Sequence, residues 1–105
     1  MHRLVALQRA NGSWELTRDF AEAIGRDLKA LEAAMPHAGS DRDNARRAWA
    51  TAVALTWLRE QAADAEEQWR LLAGKARRFL EAVSGAESDR AGWLTAAEAF
   101  LRNAA

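Results

Sequence analysis

Between Asn44 and Gln61 the chain places Trp49, Val53 and Trp57 at i, i+4 and i+8, beside Ala45, Ala48, Ala52 and Leu55. Four-residue spacing gathers side chains on one face of an α-helix, whereas a strand alternates its faces every two residues. The apolar arc is broad, with tryptophans on one side and small residues on another. A helix of this kind can be packed on several sides at once, so it is expected at the centre of the domain with the other elements around it. Asp43 is the candidate cap for its start.

The remaining segments also read as helices. Leu4, Val5, Leu7 and Gln8 form a short helical patch that Asn11-Gly12 ends, this being a residue pair suited to the left-handed conformation beyond a helix. Trp14-Glu15-Leu16 then runs extended to Thr17, the expected N-cap of a second helix that carries Phe20, Ala23 and Ile24 and stops at Gly25. Asp27 is placed to cap a third through Leu28 and Leu31, closed by Pro36 and a polar loop, Gly39-Ser40-Asp41, which is the expected flexible segment. After the central helix, Asp64 and Glu67 resemble a capping box that opens a helix with an inner stripe of Trp69, Leu72, Ala76, Phe79, Leu80 and Val83, ending at Gly85. A last helix, about 90–103, begins after Asp89 and presents Trp93, Leu94, Ala97, Phe100 and Leu101. No strand pattern of any length competes. The expected fold is all-α: one domain over 1–105, a compact bundle of five to six helices around the Trp-rich helix at about 44–61.

Composition narrows the function. A chain of 105 residues, half of them hydrophobic, suffices for one core and not for two. Fifteen basic residues balance fifteen acidic ones, so no net charge draws phosphate backbones or anionic lipid from a distance. There is no cysteine, which removes disulfides, thiolate nucleophiles and thiolate metal sites and fits a reducing compartment; the expected location is the cytoplasm. Residues Met1 to Gln8 interleave charged and apolar side chains, unlike a signal peptide. No apolar run approaches the roughly 20 residues that span a bilayer.

The groups of an enzyme do not converge in the sequence. His2 and His37 lie in a terminus and a loop without an i, i+4 partner, and read as surface histidines. Glu15, Asp19 and Glu22, like Asp41 and Asp43, stand around helix starts, where carboxylates serve caps and the macrodipole. Ser13, Ser40, Ser84 and Ser88 occupy turns or caps, and no strand-turn-helix elbow surrounds any of them. The expectation is no catalysis, no cofactor and no metal.

Two features point to binding instead. Arg42, Arg46 and Arg47 cluster near the start of the central helix, and Lys75, Arg77 and Arg78 along the next; solvated faces explain both, and a nucleic-acid or anion-binding surface is the alternative. Five tryptophans are many for this length. Trp14, Trp49, Trp57 and Trp69 are expected in the core, each bringing about 200 Å² that a small domain needs to bury. Trp93 is less committed. With Leu94 and Leu101 it is the expected exposed apolar patch, and together with Arg77 and Arg78 it makes the candidate partner-binding set, since tryptophan and arginine anchor protein interfaces.

Gln8-Arg9-Ala10-Asn11-Gly12-Ser13-Trp14 matches a Q-x-x-D/N-G-S-W pattern. Gln8 is placed to bond the free backbone groups at the end of the first helix, Gly12 to make the turn, and Trp14 to fold back over that helix and lock the corner. Such corners resemble those that repeat through the helical barrels of terpene cyclases. Here one copy stands without the aspartate-rich acid motif or the length of a barrel, so cyclase activity is not expected.

The same segment extended, Leu4-Val5-Ala6-Leu7-Gln8 through Asn11-Gly12-Ser13-Trp14-Glu15-Leu16-Thr17, resembles the start of a known C-terminal domain. Ala48-Trp49-Ala50-Thr51-Ala52-Val53-Ala54-Leu55-Thr56-Trp57-Leu58 and Glu67-Gln68-Trp69-Arg70-Leu71-Leu72-Ala73-Gly74-Lys75-Ala76 resemble its central and following helices, in order and spacing. The family comprises the vault poly(ADP-ribose) polymerase and the von Willebrand factor A domain-containing protein 5 proteins, in which this domain follows a VIT domain and a von Willebrand A domain. The resemblance covers roughly residues 3–83 and stops near Gly85, which implies that the helix at about 90–103 is an addition. Family members usually carry aspartate at the position of Asn11. In the vault polymerase the corresponding region resembles a docking module for the major vault protein, and ADP-ribosyl transfer resides elsewhere. The resemblance therefore implies a non-catalytic interaction module, excised or free-standing, that targets a larger VIT/VWA-type protein to an assembly or self-associates.

Overall fold

The computed structural model describes residues 2–35, 42–84 and 87–103. Among them lie six α-helices: α1 (His2–Ala6), α2 (Arg18–Ile24), α3 (Leu28–Ala34), α4 (Arg42–Gln61), α5 (Glu66–Ser84) and α6 (Glu87–Asn103), with a single 3-10 turn, Ala63–Ala65, between α4 and α5. The fold is an all-α bundle. The expected loop at Pro36, Gly39, Ser40 and Asp41, together with His37 and the terminator Gly85, lies outside the described residues.

The architecture follows from the composition of α4. Every residue from Ala48 to Thr56 is buried, so this stretch meets neighbours around its whole circumference. α5 and α6 pack along it, and α6 also touches α3 and α5. Alanines at 48, 50, 52 and 54 let helices and loops approach closely, and the two polar side chains in the stretch are satisfied locally. Thr51 and Thr56 donate their hydroxyls to the carbonyls of Arg47 and Ala52, one turn back, at 2.6 and 2.9 Å.

Trp49 sits at the middle of the described core. Its ring lies 6.4 Å from that of Trp93 and 6.1 Å, edge to face, from that of Phe100, both on α6, and its Nε1 donates to the Leu31 carbonyl in α3 at 2.8 Å. One side chain thus joins three helices. Trp57 departs from the expectation: it is half-buried and packs at the margin of the core. Each i to i+4 step advances about 40° around a helix beyond a full turn, so two steps from Trp49 carry Trp57 to the edge of the enclosed arc.

Local signals set the shorter elements. Thr17 caps α2, its Oγ1 accepting from the Phe20 amide at 3.2 Å, and Gly25 closes α2 in the left-handed region at φ 73°. Asp27 holds the N-cap position of α3 without a side-chain cap bond. Asp64 falls inside the 3-10 turn, so the expected capping box with Glu67 gives way to a different device: Trp69 Nε1 donates to the Ala62 carbonyl at 2.8 Å and ties α5 to the end of α4.

Trp49→Ala is expected to destabilise the protein by about 3–5 kcal/mol through the cavity and the orphaned Leu31 carbonyl. A chemical denaturation series would read this as a lowered midpoint. A loss under about 1 kcal/mol would show that α3 and α6 are not held through this ring.

Candidate functional site

The corner between α1 and α2 is built as a clasp onto α4 and α5. Gln8 Nε2 donates to the Gly12 carbonyl at 3.0 Å, closing the corner on itself, and to the Leu72 carbonyl of α5 at 2.9 Å. Asn11 Oδ1 accepts from both the amide and the hydroxyl of Ser13, at 3.1 and 2.6 Å, a short-range arrangement that shapes the turn. Trp14 is fully buried; its Nε1 donates to the Leu4 carbonyl at 2.8 Å, and its amide donates to Thr51 Oγ1 on α4 at 3.1 Å. The fold-back of Trp14 over α1 thus occurs as read, and the links to Leu72 and Thr51 add long-range partners that no local pattern specifies.

Gly12 is required twice over. Its φ is +90°, and a Cβ built there would lie 2.5 Å from the Lys75 carbonyl oxygen. The turn therefore lies against the backbone of α5 with no room for a side chain. Gly25 shares the positive φ, yet a Cβ there meets nothing within 4 Å.

The candidate partner-binding residues separate. Leu101 is buried, with Ala97 and Phe100, because α6 folds this stripe onto the core; it is no part of an exposed patch. Trp93 and Leu94 are half-buried, Trp93 against Trp49 and Leu94 at a cleft of about 370 Å³. Leu55, Trp69 and Leu80 line that cleft with Leu94, and Arg59, Arg77, Glu66 and Glu81 line it with charge. Arg77 and Arg78 are exposed, as is Lys75. The large apolar side chains exposed among the described residues are Val5 and, at 85%, Leu71, which faces away from the Trp69, Ala76 and Leu80 stripe. Leu71 adjoins the inner-stripe residue Leu72 in the sequence, and only its angular position, opposite Trp69 and Leu80 on a helical wheel, marks it as outward-facing.

Of the basic cluster at the start of α4, Arg46 and Arg47 are engaged in ion pairs, and the Arg42 side chain lies outside the described residues. Arg46 meets Glu32 at 2.9 Å and donates to the Leu16 carbonyl at 3.2 Å, and Arg47 meets Glu15 at 3.2 Å. These arginines bridge α4 to α3 and to the extended segment before α2. Among the described residues no three His, Cys, Asp or Glu side chains come together as a metal-binding group, and no helix is long and apolar enough to cross a membrane.

Comparison with known proteins gives a consistent set of relatives. Von Willebrand factor A domain-containing protein 5A of Mus musculus is 37% identical over 83 residues, which is 79% of this chain and 10% of that protein. The Homo sapiens protein is 35% identical over 101 residues, 96% of this chain and 12% of that protein, and the Rattus norvegicus protein is 36% identical over 83 residues. The chain is homologous to a segment of von Willebrand factor A domain-containing protein 5A. It spans about a tenth of the length of these relatives. No family model matches it, and no solved structure does.

Homology to von Willebrand factor A domain-containing protein 5A extends beyond residues 3–83 in the human case, where 101 of the 105 residues align and the match takes in α6. That extent agrees with the packing, in which Ala97, Phe100 and Leu101 belong to the same buried cluster as Trp14 and Trp49.

Two substitutions test the clasp. Gly12→Ala is expected to cost about 2–4 kcal/mol, from strain at positive φ together with the collision at Lys75, whereas Gly25→Ala carries the strain alone, about 1–2 kcal/mol. Equal losses in thermal unfolding would mean that the approach to α5 contributes nothing. Asn11→Asp keeps the acceptor that both Ser13 groups use and is expected to stay within about 0.5 kcal/mol of the parent.

Proposed function

We propose that this chain is a non-catalytic docking module that attaches a larger protein of the VIT/VWA type to an assembly in the cytoplasm. The observation that carries the reading is one of proportion: 79–96% of the chain aligns with only 10–12% of much longer proteins named for a von Willebrand A domain. The aligned unit has a contiguous buried core of its own. A segment with its own core and no von Willebrand A domain within it suits a role as an attachment unit.

The finer form of the proposal is that the assembly resembles a vault, with a protein like the major vault protein as the docking partner. It rests on the likeness of the Leu4–Thr17, Ala48–Leu58 and Glu67–Ala76 blocks to the C-terminal region of the vault polymerase family. The module is taken to be non-catalytic because its sequence assembles no nucleophile, base and ligand set in one place. Anion or nucleic-acid binding through Arg77 and Arg78 is the second reading, favoured by the absence of any acid between Gln68 and Leu80 and opposed by the ion pairs that occupy Arg46 and Arg47.

A fluorescent protein fused to this chain and expressed in its own cells tests the proposal by gradient sedimentation. The fusion is expected to move from the top of the gradient into a particle fraction, and co-sedimentation with a major vault protein would identify the assembly. A fusion that stays at the top, with the unfused reporter, would count against docking.

A further inference from the structure

The surface of α5 that faces away from the core has an unusual composition for a chain of zero net charge. From Gln68 to Leu80 the charged residues are Arg70, Lys75, Arg77 and Arg78, with no acid among them. Arg70 has Glu66 at 3.9 Å; Lys75, Arg77 and Arg78 have no ion pair among the described residues. Within this basic stretch stands Leu71, 85% exposed. Leu71, Lys75 and Phe79 follow at i, i+4 and i+8, and Phe79 is half-buried and outside the buried core. Arg78, at i+7 from Leu71, shares the same ridge.

Gly74 shapes the space between them. A Cβ there would meet only Arg78 Nη2, at 3.6 Å, so the guanidinium folds back across the glycine toward the turn that carries Leu71. The Arg78 cation is thereby held over the turn next to Leu71, so that charge and apolar surface adjoin on this face.

We infer that the outward ridge of α5, centred on Leu71 with Lys75 and Arg78 beside it, is the docking surface for an acidic amphipathic helix of a partner protein. This deepens the docking reading and rests on it. Charge complementarity selects the partner: unpaired cations on a fixed helical face are matched by carboxylates one turn apart on a facing helix, with the partner's apolar stripe covering Leu71 and Phe79. Phosphate backbones would meet the cations and leave the leucine in water, and three cations without an ion pair among the described residues release few counterions on binding nucleic acid.

The test is site-specific photocrosslinking of the full chain in its own cells, with p-benzoylphenylalanine in place of Leu71 and, as a reference, in place of Arg18, which is exposed on α2. The expected adduct from position 71 is a protein segment with apolar residues at helical spacing and Asp or Glu beside them. The double variant Lys75→Glu, Arg78→Glu is expected to lower its yield at least tenfold without moving the unfolding midpoint, and Glu→Lys changes in the crosslinked segment to restore it. Arg78→Gln, which removes charge without reversing it, should lower the yield severalfold. Adducts from position 18 alone would overturn this surface and leave docking intact; adducts from neither position would overturn both. An adduct to nucleic acid, or to a segment without acids, would also overturn the inference.

Discussion

The enclosure of α4 is the constraint from which the rest of the structure follows. A helix buried on every side from Ala48 to Thr56 offers its neighbours no solvent face. Its surroundings therefore have to be complete: α5 and α6 along its length, α3 bonded to Trp49, and the corner after α1 bonded to Thr51. Alanine makes this possible at close range, since it adds little volume and loses no rotamer freedom. The tryptophans supply area that a chain of this size would otherwise lack.

The Gln8–Trp14 corner has two roles in that enclosure. Within itself it ends α1 and turns the chain, through Gly12 and the Asn11 to Ser13 bonds. Across the molecule it bridges α4 and α5 through Thr51 and Leu72, with Gly12 against the Lys75 carbonyl. The motif is a structural fastener, which explains how it can look the same in unrelated helical proteins. The corner and Trp69 hold α5 along a line that includes the Leu72 and Lys75 backbone, and beyond that line Leu71 and the charged ends of Lys75 and Arg78 stand exposed. Packing and candidate function thus divide one helix between its two faces.

Sequence reading located the helices because periodicity, caps and glycines act within a turn or two of chain. Thr17, Gly12, Gly25 and the Trp49–Val53 pair behave as their local chemistry requires. It erred where the decision lay between elements. Leu101, which the sequence groups with Trp93 and Leu94 as a surface patch, is buried with Ala97 and Phe100, since a terminal helix carries no mark of what it will pack on. The residues of the capping box at Asp64 are suitable, but Asp64 lies in a 3-10 turn and the junction is tied instead by the bond of Trp69 to the Ala62 carbonyl.

By itself the sequence determined that this protein is all-α and that the chain turns at Asn11-Gly12, because both rest on interactions among residues close in the chain, and the broad apolar arc of the Trp-rich helix marked it as the element the others have to enclose. The tertiary structure alone decided which basic side chains are paired across the fold and which stand exposed. Arg46 and Arg47 are neutralised by Glu32 and Glu15 from other elements, while Lys75 and Arg78 on α5 are left with Leu71 facing water. Sequence spacing cannot distinguish those two basic clusters, since the charges that separate them arrive through the fold.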